Sequence, residues 1–252
     1  MPRHEKKIIL VLVEGESDEI SFEGVLKDFF SSSDVRVHVM RCDITIKDCP
    51  RPSEILKKIK EPIDDFLSVS KLLKSDIQRI VHLVDTDGAF VPDSCVVSAA
   101  QDKVSYSEDT IFAPNAGGIK RRNAIKSAVL SKLCGTNSVY GDIPYHVFFL
   151  SRNLEHVLHN RMENLSSSEK ARLSDRFDEQ FEGRLHDFLR FISDPAFAVP
   201  GNYKETWAFI QQGTNSLRRH SNVHLLFSTE ERPDINSQTE AIDSEPEKQA
   251  DR

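Results

Sequence analysis

Hydrophobic residues in the first 150 positions are gathered into short runs that stop abruptly. Ile8–Val13, Ile80–Val84 and Tyr145–Leu150 are apolar almost throughout, a pattern typical of parallel strands that are covered on both faces. Val35–Val39 alternates apolar with polar residues and predicts a half-exposed strand near a sheet edge. A further short strand is predicted at Thr110–Ala113. The pattern predicts a sheet whose central strands are buried.

Between these strands, apolar residues recur with the period of a helix. The positions that share one face of a first predicted helix, after an expected N-cap at Ser17, are Phe22, Val25, Leu26 and Phe29. Those of a second are Ile55, Ile59, Ile63 and Phe66. A third helix is predicted to follow Asn115–Gly118 and to run through Leu133. Because strands alternate with helices, we expect an α/β fold with a mainly parallel sheet flanked by helices.

The chain after the last predicted strand is helical in pattern, with helices expected at 154–162, 169–192 and 204–217. Residues 1–160 are therefore expected to form the α/β core, and residues 161–227 an appended helical region packed on it. Residues 228–252 are acidic, polar and without aromatic side chains, which predicts a disordered tail.

The net charge of −7 argues at first against a nucleic-acid partner, because basic surface normally supplies affinity for phosphate. The distribution of charge changes this interpretation. Residues 228–252 contain eight acidic and three basic residues, which leaves 32 acidic and 30 basic residues for the rest of the chain. Since that remainder is nearly neutral, nucleic acid stays a possible partner.

Hydropathy and cysteine content indicate the compartment. No apolar run approaches the roughly 20 residues that a membrane span requires, and the N-terminal MPRHEKK leads directly into a predicted strand. The four cysteines are scattered without a CxxC pair, which suits reduced thiols. The protein is thus expected to be soluble and cytoplasmic, with no membrane partner.

Acidic residues directly follow two of the buried strands. Glu14 comes after the first, and Asp85 and Asp87 come after Ile80–Val84. Open α/β sheets bind ligands beyond the carboxyl ends of their strands, so the three carboxylates are expected at one edge. Mg²⁺ or Mn²⁺ would relieve their mutual repulsion there. Replacing Asp85 or Asp87 by Asn is then expected to leave the fold intact or more stable.

The segments VEGESDE at 13–19 and VDTDG at 84–88 resemble two motifs of the Toprim domain. That domain is shared by topoisomerases, bacterial primases, small ribonucleases that mature ribosomal RNA, and OLD-family nucleases. The resemblance implies that Glu14 acts as general acid/base or metal ligand and that Asp85 and Asp87 hold Mg²⁺. In OLD-type nucleases, acidic residues near the first motif bind a second metal, a role that would fall to Asp18. Asp18 and Glu19 can also simply complement a helix N-terminus.

A narrower resemblance lies in SRNLEHVLH, residues 151–159. This segment is similar to the Ser-Asn-Pro-x-Phe-Glu-x-Trp segment of RloB-like proteins, small Toprim relatives found beside restriction systems. Leu154 and Val157 replace aromatic residues, and no proline follows Asn153. The resemblance implies that Glu155 is a further metal ligand, although a helix start would also favour an acid there. It also implies a role in prokaryotic defence, with a protein partner of a restriction or ATPase type.

Three cations, Lys120, Arg121 and Arg122, closely follow Gly117-Gly118, where the third helix is expected to begin. Cations at a helix N-terminus are unfavourable, and an anionic ligand would offset that cost. Together with free backbone N–H groups, these side chains would form a phosphate site. A solvated basic turn is an equally good interpretation of the sequence.

These patterns favour a Mg²⁺- or Mn²⁺-dependent nuclease acting on DNA or RNA, with Glu14, Asp85 and Asp87 as catalytic residues. A strand-passing or primer-synthesising enzyme would need partner domains for which the chain has little room. A non-catalytic metal-binding module, or a subunit of a defence complex, is the other alternative. His156 and His159 have a spacing compatible with metal binding, but no third ligand is spaced to complete a zinc site.

Overall fold

The structure, a computed structural model, describes residues 7–31, 35–42 and 51–228. The strands of this described part are β1 (Lys7–Val13), β2 (Val35–Arg41), β3 (Ile77–Asp85), β4 (Val96–Ser98), β5 (Ser105–Tyr106), β6 (Ile111–Ala113), β7 (Tyr145–Ser151) and β8 (His220–Ser221). Its helices are α1 (Glu16–Phe29), α2 (Ile55–Ser70), α3 (Ala116–Cys134), α4 (Leu154–His159), α5 (Ser167–Phe181), α6 (Leu185–Ile192) and α7 (Tyr203–Ile210). Beyond Ser228, the predicted tail lies outside the described residues.

The main sheet has five strands in the order β2-β1-β3-β7-β8. The first four are parallel to one another, and β8 pairs antiparallel with β7. The prediction of a mainly parallel sheet is confirmed, although the two residues of β8 were too few to be predicted. From β1 the chain passes outward to β2 and then returns to β3 on the other side of β1. Such a reversal opens a crevice at the carboxyl ends of β1 and β3.

Two hydrophobic cores cover the two faces of this sheet. Ile9, Val11 and Val13 lie in one core, which also contains buried residues of α1, α5 and α6. Ile8, Leu10 and Leu12 lie in the other, with residues of α2, α3 and α7. Because successive strand residues point to opposite faces, an unbroken apolar strand feeds both cores at once. Burying each such side chain contributes about 1.5–3 kcal/mol.

The C-terminal helices differ from the prediction at two glycines. The helix expected at 169–192 is two helices, α5 and α6, separated where Gly183 adopts a φ of 62°. The helix expected at 204–217 ends at Ile210, and a 3₁₀ turn at Asn215–Leu217 follows Gly213, whose φ is 53°. A left-handed backbone conformation stops a right-handed helix. The apolar spacing continues past both glycines, so the sequence pattern does not show that the helices end there.

A second, small sheet has the strand order β4-β6-β5. The strand predicted at Thr110–Ala113 is therefore found as β6, in this small sheet and not in the main one. Its core combines Val91, Val96 and Ile111 with Leu217 from the C-terminal part of the chain. The small sheet thus packs beside the turn that follows β3. Within the described ranges, no helix is both long and apolar enough to cross a membrane.

Candidate active site

The carboxyl ends of β1 and β3 bring the predicted acids to one edge. Glu14 directly follows β1, and Asp85 is the last residue of β3. Asp87 lies in the turn beyond, with a φ of 49°, and Gly88 has a φ of 71°. A Cβ on Gly88 would lie 2.6 Å from Cδ2 of Leu217. The positive φ and the lack of space both require glycine at this position. Because Gly88 has no side chain, the turn can lie close to Leu217 and Ile111 of the small sheet's core.

Asp18 lies on the first turn of α1, near this edge. The N-cap is Gly15 and not the predicted Ser17, because Asp18 reaches back and its Oδ2 accepts a hydrogen bond from the Gly15 N–H at 3.0 Å. The side chain is buried, with 7% of the residue exposed. Burial, reinforced by the negative charges of Glu14 and Glu155, raises the pKa of Asp18 to about 7.

A cleft of about 310 Å³ opens over this edge, and Glu14, Asp18, Asp85 and Glu155 are among its lining residues. Glu155 comes from the start of α4 and is only 3% exposed. Its Oε1 lies 2.9 Å from Nζ of Lys170, a residue of α5 that also lines the cleft. Four of the five predicted metal ligands therefore share one cavity, with a cation at its wall.

Asp85 is a half-buried acid at the edge of the cleft. Its Oδ1 is buried and has no hydrogen-bond partner among the described residues. Burial, followed by repulsion from Glu14 and Asp18, raises its pKa well above the usual range. A buried carboxylate oxygen that lacks a partner costs free energy, so this atom is suited to binding a cation or a donor brought by a ligand.

Asp87, the fifth predicted ligand, binds a cation of the chain itself. Lys126 on α3 donates a hydrogen bond to its Oδ2, and Nζ of Lys126 also lies 3.9 Å from Oε1 of Glu14. Burial alone would raise the pKa of Asp87, but Lys126, together with Arg122 and Arg152, outweighs burial and the pKa is lowered. Burial would likewise lower the pKa of Lys126, but Asp87 and Glu14 raise it. The repulsion expected between the acids is thus partly offset without metal.

Sequence reasoning missed Lys126, although the sequence contains a signal for it. The buried residues of α3 are Asn123, Lys126, Val129, Leu130 and Leu133, which recur at the helical spacing of three and four. Lys126 therefore falls on the apolar face of its helix, where a lysine needs a charged partner. Its ion pair with Asp87 satisfies that requirement.

The three predicted phosphate contacts lie one turn further into α3 than expected. The helix begins at Ala116, because the side chain of Asn115 caps it by accepting a hydrogen bond from the Gly118 N–H at 2.9 Å. None of the three lines the cleft as described. Arg121 is exposed and Lys120 is half-buried.

Arg122 is engaged within the protein. Its Nη2 donates to the backbone oxygen of Asp87 and to Oδ1 of Asn123, both at 2.8 Å, and its Nη1 donates to the Tyr106 hydroxyl at 3.3 Å. These bonds connect α3 to the turn after β3 and to β5. In this structure the side chain acts as a brace for the site.

The contacts of the two histidines of α4 are those of structural residues. Nδ1 of His156 accepts a hydrogen bond from the backbone N–H of Arg152 at 3.4 Å, and burial lowers the pKa of His156 to about 4. The ring of His159 packs edge-on against Phe177 at 5.6 Å between centroids. Their contacts give no indication of a shared metal.

The cleft was compared with the needs of a hard divalent cation. In the described part of the chain, no three His, Cys, Asp or Glu side chains are gathered closely enough to form a ready-made metal cage. The donor chemistry nevertheless fits Mg²⁺ or Mn²⁺, since proteins often hold Mg²⁺ with one or two carboxylates and several waters. Asp85 offers a free buried oxygen for this, and Asp18, Glu14 and Glu155 line the same space.

The sequence was also compared with known proteins. No model of a known protein family matches the chain, and no curated protein matches it.

Proposed function

We propose that this protein is a divalent-metal-dependent nuclease that hydrolyses nucleic-acid phosphodiesters. The observation that carries the proposal is a cleft beside the carboxyl ends of β1 and β3 that four carboxylates line, with Oδ1 of Asp85 buried and unpartnered among the described residues. Support also comes from the order of the VEGESDE and VDTDG segments, which resembles that of Toprim nucleases.

Mg²⁺ or Mn²⁺, when bound, would polarise the scissile phosphate and lower the pKa of an attacking water. Asp85, with Glu14, Asp18 and Glu155, would hold the cation. Glu14 is also placed to exchange a proton with solvent in the open cleft.

Lys126 keeps Asp87 ionised and limits the repulsion on Glu14. Lys170 brings positive charge to the cleft wall, where it would attract a nucleic-acid backbone.

A second candidate is a non-catalytic metal-binding module of a larger defence complex. The pairing of Asp87 with Lys126 favours it, because that bond occupies one of the two aspartates that the Toprim resemblance assigns to Mg²⁺. A cation at Asp87 would have to compete with a buried ammonium group, whereas Asp85 has no such competitor.

The test is cleavage of end-labelled DNA and RNA oligonucleotides in Mg²⁺, Mn²⁺ or EDTA, with Mn²⁺ binding followed by calorimetry. We expect metal-dependent cleavage by the wild type and its loss in Asp85→Asn. Asp142→Asn is the matched control, because Asp142 is exposed and precedes β7, at the opposite edge of the sheet.

The outcomes separate the candidates. Mn²⁺ binding without cleavage of either nucleic acid would favour the non-catalytic module. Cleavage that survives in Asp85→Asn, or a wild type that neither binds Mn²⁺ nor cleaves, would overturn the proposal.

A further inference from the structure

We propose that Arg152 binds a non-bridging oxygen of the phosphate in this site, an inference that rests on the proposed phosphodiester substrate. Arg152 directly follows β7, and β7 pairs with β3 so that Leu150 lies opposite Asp85. The backbone of Arg152 is tied to the site turn, because its carbonyl oxygen accepts a hydrogen bond from the Asp87 N–H at 2.8 Å. Arg152 therefore emerges at the same sheet edge as the acids.

The guanidinium of Arg152 is held by stacking. Only 3% of the residue is exposed, and Cζ lies 4.4 Å from the ring centroid of Tyr106. The hydroxyl of that tyrosine is fixed by Arg122, which also bonds to the backbone of Asp87. Stacking constrains the plane of the guanidinium without using its N–H groups.

One N–H donor group of the Arg152 side chain is not used in hydrogen bonding within the described residues. Its Nη1 is buried and has no hydrogen-bond partner within the described residues. Leaving a buried donor without a partner costs free energy, and the cost is larger when the group is charged. Such a cost is typically tolerated where a ligand supplies the missing acceptor.

An unused acceptor, Oδ1 of Asp85, accompanies this unused donor. Burial lowers the pKa of Arg152, and Tyr106, Asp87 and Asp85, in that order, oppose this lowering, yet Arg152 and Asp85 form no hydrogen bond in the described structure. A ligand that satisfies both must offer an anionic oxygen to Arg152 and a cation to Asp85. A phosphodiester accompanied by a divalent cation has this composition, and the planar guanidinium matches phosphate oxygens.

A purely structural role for Arg152 is the competing explanation. The positive charge of Arg152 helps to lower the pKa of Asp87, but Lys126 is the cation that pairs with that carboxylate. Arg219 shows what a structural stacked arginine does in this protein. Its guanidinium lies 4.5 Å from the centroid of Phe197, and its Nε donates to the Val157 carbonyl oxygen at 2.9 Å. Arg152 is stacked in the same way, but its Nη1 finds no hydrogen-bond partner in the part of the chain that the structure describes.

The experiment uses a minimal phosphodiester, dimethyl phosphate, and its neutral analogue, trimethyl phosphate. Thermal unfolding is measured in Mg²⁺ at constant ionic strength for the wild type, Arg152→Lys, Arg152→Met and the matched control Arg219→Lys. We expect dimethyl phosphate, at about five times its Kd, to raise the Tm of the wild type and of Arg219→Lys by about 2–4 °C. Neither Arg152 variant should gain, and trimethyl phosphate should stabilise no protein.

Using two substitutions keeps the test valid if one destabilises the fold. Arg152→Lys keeps the charge but loses the planar group, so its failure to respond would indicate geometric recognition. An Arg152 variant that gains as much as the wild type, or a wild type that gains nothing, would overturn the inference. A specific shift without nuclease activity would leave Arg152 assigned and would instead refute the proposed function.

Discussion

The ammonium group of Lys126, in a residue only 1% exposed, donates a hydrogen bond to Asp87. This pair partly offsets the repulsion among the acids of the site. Removing one partner of a buried ion pair leaves the other charge uncompensated. We therefore expect the pair to influence both the stability of the site and its affinity for cations.

Lys126→Met is expected to destabilise the protein by about 3–5 kcal/mol at neutral pH, because it leaves Asp87 and Glu14 without their buried counter-charge. Mn²⁺ should restore part of this loss by supplying positive charge. Urea denaturation with and without Mn²⁺ measures both effects. Lys132→Met, at an exposed position of the same helix, should change stability little. Equal effects of the two substitutions would show that the Lys126 ion pair does not stabilise the fold.

Asp85→Asn and Asp87→Asn are expected to have opposite effects on stability in EDTA. Asp85 carries a penalised buried charge, since burial and neighbouring acids raise its pKa, so Asn should be neutral or stabilising. Asp87→Asn leaves Lys126 buried and without its main partner, and should destabilise. The sequence-based expectation that both substitutions leave the fold intact or more stable is replaced here for Asp87. Thermal unfolding of the two variants in EDTA decides it, and a stabilised Asp87→Asn would contradict the assigned pairing.

Asp18 is expected to make stability depend on pH. Its pKa in the folded protein, about 7, lies above the ordinary value of 3.8, so the folded state keeps a proton that the unfolded state releases. Stability should therefore fall as pH rises from about 4 to 7. Asp18→Asn removes this loss while keeping an acceptor for the Gly15 N–H, and should be the more stable protein at pH 8.

The check is urea denaturation of wild type and Asp18→Asn at pH 4.5 and pH 8 in EDTA. The variant should gain on the order of a few kcal/mol relative to the wild type between these pH values. Asp175→Asn, at an exposed position of α5, serves as the control for a general charge effect. A parallel pH dependence in wild type and Asp18→Asn would rule out the buried acid as the cause.

Of the three cations of α3, we expect Lys120 and Arg121 to affect nucleic-acid binding and Arg122 to affect stability. Arg121→Ala and Lys120→Ala should leave stability unchanged and, if these side chains contact phosphates, each should shallow the salt dependence of oligonucleotide binding by about one unit of slope. Arg122→Ala should lower the Tm, because it removes the brace between Asp87 and Tyr106. Anisotropy titrations at several salt concentrations, combined with thermal unfolding, distinguish these roles. If the salt dependence of binding is unchanged in Arg121→Ala and Lys120→Ala, these two side chains are solvated surface groups that do not contact phosphates.

The parts of the fold that the sequence predicted are those with a strong local signal. Strands β1, β3 and β7 contain runs that are apolar almost throughout, and the acids at the ends of the first two runs were placed from the positions of those runs. The two- and three-residue strands of the small sheet are too short to show a period, so its separation from the main sheet could not be foreseen. Gly183 and Gly213 divide helices whose apolar spacing continues past them.

The acidic residues of the candidate site were predicted from the sequence, whereas the cations that lie near them, Lys126, Lys170 and Arg152, were not. Glu14, Asp18, Asp85 and Glu155 line one cleft. The cations around them come from elements distant in sequence: Lys126 from α3, Lys170 from α5 and Arg152 from the end of β7. The apolar face of α3 marks Lys126 as needing a charged partner, but only the folded arrangement shows which acids lie near these cations, because no local pattern encodes contacts between separate elements.

The turn after β3 depends on residues that follow it by about 130 positions. The hydroxyl of Thr86 donates to the Ser216 carbonyl oxygen at 3.1 Å, and Leu217 packs over Gly88. The hydroxyl of Ser151 donates to the carbonyl oxygen of Arg218 at 2.8 Å. During synthesis on the ribosome, the acids of β1 and β3 emerge early, but these anchors exist only once residue 218 has left the exit tunnel. The nascent chain therefore carries the acids long before it can hold their turn in place.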